Sequence, residues 1–136
     1  MKSLLVCLLL VLTIAACNKD KTEKYSENDK NLIGKWKYIE QYMSPGGPGT
    51  WKAAEPAGQI IEFKKTREFI GSDKYLKEAY RFKFVDSARI KIYPVSNDSG
   101  FMIMGYTLSN ENRELQLHPL APYICIEGCS SKFVRE

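Results

Sequence analysis

Four cysteines and one histidine are the side chains of this 136-residue chain best suited to covalent or metal chemistry. Cys125-Ile126-Glu127-Gly128-Cys129 sets two thiols in one short turn. Gly128 offers the positive φ that so tight a loop calls for. A disulfide, a metal site and a redox-active pair are all open to such a segment. His118 lies seven residues before Cys125, but His-x6-Cys-x3-Cys offers three ligands, and a closed structural zinc site takes four. Redox-active pairs favour Cys-x-x-Cys spacing at a helix start. No Gly-x-Ser-x-Gly elbow, His-Glu-x-x-His pair or Gly-rich phosphate loop is present. His118 alternates out of phase with Leu115 and Leu117, which points it outward. We therefore assign no catalytic residue, no metal and no cofactor, and expect a protein that is not an enzyme. Glu40 shares its alternation with Trp36, Tyr38 and Tyr42. It either faces an interior, where burial raises a carboxyl pKa, or turns away and pairs with a cation.

The N-terminus decides the redox compartment. Met1-Lys2-Ser3 precedes an uncharged run from Leu4 to Ala16. That run is shorter than the roughly 20 apolar residues of a membrane-spanning helix, and it reads as a secretory signal peptide over residues 1–16. It ends Ile14-Ala15-Ala16-Cys17, which resembles the lipobox of bacterial lipoproteins. The resemblance implies diacylglycerol on Cys17, cleavage before it, and N-acylation of the new terminus, a multi-chain anchor strong enough to hold. Asn18 stands where an inner-membrane retention aspartate would, so the resemblance leans to the outer membrane. Residues 17–31 are then a lipidated tether. The stretch NKDKTEKYSENDKN has four lysines, four acids and no aliphatic, too little apolar surface to offset its ordering entropy. In an oxidising envelope the pair Cys125 and Cys129 is expected to be joined.

From Leu32 onward the period is two rather than 3.6. Residues 34–42, 59–63, 68–71, 80–84, 88–92, 101–108, 115–118 and 132–135 read as eight short strands. Ser44 to Gly58, with four Gly and three Pro, reads as one long irregular loop. Hairpin-length turns make the strands a meander. Closing that meander into a barrel removes both free edges and covers one face. The expected fold is thus all-β, an eight-stranded antiparallel up-and-down barrel over residues 32–136, with a β-sandwich as the alternative. Eight strands leave an interior that side chains fill or that holds one small ligand. Tyr80, Phe82 and Phe84 form an aromatic stripe, either pocket wall or core. Arg81, Lys83, Arg89 and Lys91 form the opposite stripe, facing anionic lipid headgroups or solvent.

Leu32-Ile33-Gly34-Lys35-Trp36-Lys37-Tyr38 resembles the Gly-x-Trp opening of lipocalins. Together with Gly49-Thr50-Trp51, Leu115-Gln116-Leu117 and the Cys-x-Glu-Gly-Cys ending, it is similar to the lipocalin-like domains of small bacterial envelope lipoproteins. The resemblance covers residues 32–136 and implies a calycin-type barrel. It also implies closure by an arginine lying across the tryptophan. Arg135 shares parity with Phe133, so if Phe133 is core, Arg135 also turns inward, towards Trp36.

Two functions fit. One is a tethered binding module holding a small, partly apolar ligand at the barrel mouth, with Tyr38, Glu40, Tyr42, Phe82 and Phe84 as the pocket beside the 44–58 loop. The other is a structural, interaction or inhibitor lipoprotein with a filled barrel and no ligand. The expected partners are a membrane, through the Cys17 anchor, and a small hydrophobic ligand; a monomer is expected. The net charge of +4, spread over 20 cations and 16 acids, is too mild and too interleaved for nucleic acid.

Overall fold

The computed structural model describes residues 27–44, 46–71, 80–96, 99–122, 125 and 129–136. The proposed signal peptide, Cys17 and residues 18–26 of the tether lie outside the described residues. Residues 27–31, placed in the tether by sequence, belong to a short helix, α1 (Glu27–Leu32). Nine strands follow: β1 (Gly34–Met43), β2 (Thr50–Ala53), β3 (Ile60–Phe63), β4 (Glu68–Ile70), β5 (Tyr80–Asp86), β6 (Arg89–Pro94), β7 (Met102–Ser109), β8 (Glu114–Ala121) and β9 (Ser130–Arg135).

The sheet closes on itself. β1, β3, β4, β5, β6, β7, β8 and β9 pair antiparallel in that order, and β9 pairs back to β1. This is the expected eight-stranded up-and-down barrel, and the sandwich is set aside. β2 is the addition. It lies within the Ser44–Gly58 segment read as irregular, and pairs with Glu40–Met43 of β1 beyond the stretch Gly34–Lys37 that pairs with β3. All four of its residues are exposed, so no buried alternation marks it in the sequence.

Period-two alternation sorts the two faces. Trp36, Phe63, Phe82, Ile90 and Leu115 point inward and are fully buried. Their rings form a chain: Phe63 against Phe69 at 5.0 Å, Phe63 against Phe82 at 5.1 Å, Phe82 against Phe84 at 5.8 Å, and Phe84 against Tyr106 at 6.2 Å. Each such side chain contributes about 1.5–3 kcal/mol by leaving water. Two turns show how the strands reverse. Asp86 accepts the Ala88 N–H at 3.0 Å and fastens β5 to β6. Asn110, Glu111 and Asn112 all take positive φ between β7 and β8; two of the three are asparagine, whose short polar side chain tolerates that region.

The chain enters at the closed end. Leu32 of α1 is fully buried, and the Trp36 indole N–H donates to its carbonyl at 2.8 Å. At the same end the Arg135 guanidinium lies 4.2 Å from the Trp36 ring. β1, β4, β6 and β8 run out at the opposite end, the mouth.

β1 changes face part-way along. Tyr38 sits opposite Phe133 of β9, but the next paired residue, Glu40, sits opposite Lys132. One extra residue on β1 is the mark of a β-bulge. Because side chains alternate with period two, the bulge inverts every facing beyond it. Gln41 turns in, Glu40 turns out, and Tyr42 comes to the rim of the mouth, against Trp51.

Candidate ligand-binding mouth

Above the aromatic core the barrel opens into a cavity of about 340 Å³. Its apolar wall comes from Met104, Leu117 and Pro119, with Tyr38, Tyr42 and Met43 of β1. Polar groups converge from Gln41, Ser130 and Ser131, and Cys129 sits at the rim. The Tyr38 hydroxyl donates to the Gln41 side-chain oxygen at 3.2 Å, and the Tyr38 ring rests on Phe133 at 5.2 Å. Tyr38, which lines the cavity, is thus backed by Phe133 of the core. Among the described residues lining this mouth there is no Asp, Glu, Lys, Arg or His side chain. A mostly apolar wall with a few placed amide and hydroxyl groups is the usual make-up of a small-molecule pocket.

The five pocket residues named from sequence separate. Tyr38 and Tyr42 line the mouth. Glu40 does not: past the bulge it lies on the outer wall, where its carboxylate pairs with the Lys132 ammonium at 2.5 Å. That ammonium also stands 4.2 Å over the Trp51 ring, and Trp51 packs on Tyr42 at 5.3 Å. Phe82 is fully buried in the lower core. Phe84 packs between Phe82 and Tyr106, with the Arg67 guanidinium 4.9 Å from its ring. Both face inward, as their alternation says, but they stand nearer the closed end than the mouth. Gln41, Met104, Leu117, Pro119, Ser130 and Ser131 were not named. Leu117 carried a signal in its alternation with Leu115. Gln41 carried none, because its facing depends on the bulge.

Cys125 and Cys129 are joined in a disulfide with Cα atoms 5.6 Å apart. Cys129 immediately precedes β9 and lines the mouth. His118 sits on the outer wall of β8 beside Gly105, where any Cβ would run into its imidazole. Among the described residues, no three His, Cys, Asp or Glu side chains gather in a way that could hold a metal ion.

At the closed end, Arg135 donates from Nε to the Asn112 carbonyl at 3.0 Å, from Nη1 to the Ile33 carbonyl at 3.0 Å, and from Nη2 to the Asn31 carbonyl. Burial pushes its guanidinium pKa down from the ordinary value. Gly34 makes room for it. A Cβ there would stand 2.7 Å from Nη1, and φ is +139°. The Gly-x-Trp opening and the last strand are thus one device: Gly34 yields the space, Trp36 the ring and Arg135 the cation. No protein-family model matches the sequence, and no curated protein is similar to it.

Proposed function

We propose that this protein is an envelope lipoprotein, anchored in the outer membrane through acylated Cys17, whose barrel mouth holds one small, uncharged, largely apolar ligand. The observation that carries the binding reading is the 340 Å³ mouth, open above the aromatic core and, among its described lining residues, free of ionised side chains. An acid or base bound there would lose hydration with no opposite charge to replace it. A neutral ligand meets Leu117, Met104 and Pro119 with its body and Gln41, Ser130 and Ser131 with its polar end. The lipobox-like Ile14-Ala15-Ala16-Cys17 supports the anchor.

Native mass spectrometry of protein taken from its own envelope tests the binding reading. A co-purifying small molecule of fixed mass is expected, and Ser131→Trp, which fills the mouth, should abolish it. Repeated absence of such a mass from folded wild-type protein would overturn it. For the anchor, Cys17→Ser should remove the acyl chains and the membrane association; a variant that keeps both would refute it.

A further inference from the structure

We propose that the outer wall of β5 and β6 is a second binding surface, which docks the barrel on an anionic phospholipid membrane. On these strands the inward residues Phe82, Ile90 and Ile92 are buried in the core. The outward residues are Arg81, Lys83, Arg89, Lys91 and Tyr93. Lys83 and Lys91 are direct cross-strand partners, and Arg81 stands opposite Tyr93 in the adjoining outward row. Like charges set directly opposite each other on a sheet repel.

Both lysines gather on aromatic rings. The Lys83 and Lys91 ammoniums lie 5.7 and 5.6 Å from the Tyr93 ring, and Lys91 stands 4.4 Å over Phe101. Asp86 on this wall is paired with Arg89. Exposed aliphatics continue the two outward rows, Val85 after Lys83 on β5 and Val95 after Tyr93 just beyond β6, the latter 55% exposed.

This mixture selects the partner. Headgroup phosphates complement the ammonium and guanidinium groups, and the aliphatics reach the boundary beneath them. A single-stranded nucleic acid would need open ring faces for stacking, whereas Tyr93 and Phe101 already carry lysine ammoniums. The location also fits, a point that rests on the proposed Cys17 anchor. Residues 18–26 separate that cysteine from α1, and nine residues span at most about 30 Å. A barrel so tethered stays within reach of the lipid surface.

The test dispenses with the anchor, so the two readings fail independently. Residues 18–136 contain every described element of the barrel. This protein is floated with vesicles of phosphatidylglycerol and phosphatidylcholine at 3:7, or of phosphatidylcholine alone. Binding is expected on the mixed vesicles only. Lys83→Gln with Lys91→Gln should weaken it by roughly 30-fold, at about 1 kcal/mol per cation. Lys35→Gln with Lys37→Gln makes the same change in net charge on the outer face of β1, and should cost less than about 3-fold by the same reasoning. Lys83→Arg with Lys91→Arg keeps the charge and should keep the binding, which separates lost docking from a damaged fold. Equal loss in the two glutamine variants, failure of the arginine variant, or equal binding to uncharged vesicles would each overturn the proposal.

Discussion

Replacing Arg135 by alanine should unfasten the closed end of the barrel. One guanidinium there holds three separate pieces of chain: residues 31 and 33 at the entry to β1, Asn112 in the β7–β8 turn, and the Trp36 ring. A hydrogen bond from a charged donor nets about 1.5–3 kcal/mol, and the ring contact adds about 0.5–2 kcal/mol. The site is half-buried, so water replaces part of what is lost. The low end of these ranges applies, and Arg135→Ala should cost about 3 kcal/mol. For a domain of this size that is a fall of roughly 10 °C in melting temperature. Arg135→Lys keeps a charge but loses the planar fork, and should cost about 2 kcal/mol. Gly34→Ala should match it or exceed it, because the new methyl displaces Nη1 and φ at +139° strains any L-residue. Since Gly34→Ala already dislodges the guanidinium, the double variant should lose less than the sum of the singles. Thermal and urea unfolding followed by circular dichroism measures all four variants. A cost for Arg135→Ala below about 0.5 kcal/mol, the range of an ordinary surface substitution, would refute the clamp. Strict additivity with Gly34→Ala would refute the shared mechanism.

Reduction of the Cys125–Cys129 bond, or Cys125→Ser with Cys129→Ser, should cost about 2 kcal/mol by the loop-closure relation for so short a loop. Non-reducing peptide mapping should show a mass loss of two hydrogens on the peptide containing both cysteines. Gly105→Val should destabilise the barrel by about 1–3 kcal/mol through overpacking against the His118 ring; a melting temperature equal to wild type would show that His118 swings away freely. Two exposed carboxylates give a pH dependence of known sign. Hydrogen bonds from Thr66 and Lys64 hold the Glu68 pKa below its ordinary value, and those from Arg89 and the Ala88 N–H do the same for Asp86. Their stabilisation is fully present above the unfolded-state pKa and fades as pH falls through the folded-state value. Glu68→Gln with Asp86→Asn should therefore lower stability slightly at neutral pH and flatten the acid limb, the variant and wild-type profiles converging as pH falls through the folded-state values. An unchanged acid limb would show that these contacts do not persist in solution.

Which residues share a wall was legible in the sequence wherever alternation ran unbroken. Phe82 and Phe84, Ile90 and Ile92, and Leu115 and Leu117 fell on the inner wall for that reason. Height along the barrel was not legible, because it depends on the strand stagger fixed only when the sheet closes. Phe82 and Phe84 were thus read as pocket when they are packed near the closed end. The bulge in β1 hid for a related cause. Nothing in Tyr38-Ile39-Glu40-Gln41 breaks the local pattern, and the extra residue appears only against β9, some ninety residues later in the chain. β2 escaped because a strand with four exposed residues has no buried alternation to display. α1, at six residues, is too short for a helical period to show. The closure of first strand by last was legible from the resemblance of Gly34-Lys35-Trp36 to the lipocalin opening, and the parity of Arg135 with Phe133 agreed with it.

The bulge also gives the barrel its two halves. Below it, β1 sends Trp36 and Tyr38 inward, and they meet Ile61, Phe133 and the phenylalanine chain in a packed interior. Had the alternation continued, Glu40 and Tyr42 would have followed them. The carboxylate would then have entered an apolar space with no cation beside it, a costly burial. The inserted residue instead takes Glu40 out to Lys132 and brings in Gln41, a neutral side chain that the Tyr38 hydroxyl can reach. The same step moves Tyr42 to the rim, against Trp51 of β2. One extra residue therefore ends the aromatic core, takes the Glu40 carboxylate out of the mouth and gives β2 its anchor in Tyr42. Deleting Ile39 removes the extra residue and makes Glu40 the direct neighbour of Tyr38, so Glu40 should stay outward opposite Lys132 and Gln41 inward. The cost should then be that of the lost bulge geometry, including the Ile39 carbonyl that accepts the Ala54 N–H at 2.9 Å, and should not depend on the charge at position 40. Glu40→Gln, made in the wild type and in the deletion background and followed by thermal unfolding, measures this. A deletion whose cost falls when Glu40 is neutralised would mean that the carboxylate has turned into the mouth, and would refute the facing assigned to the bulge.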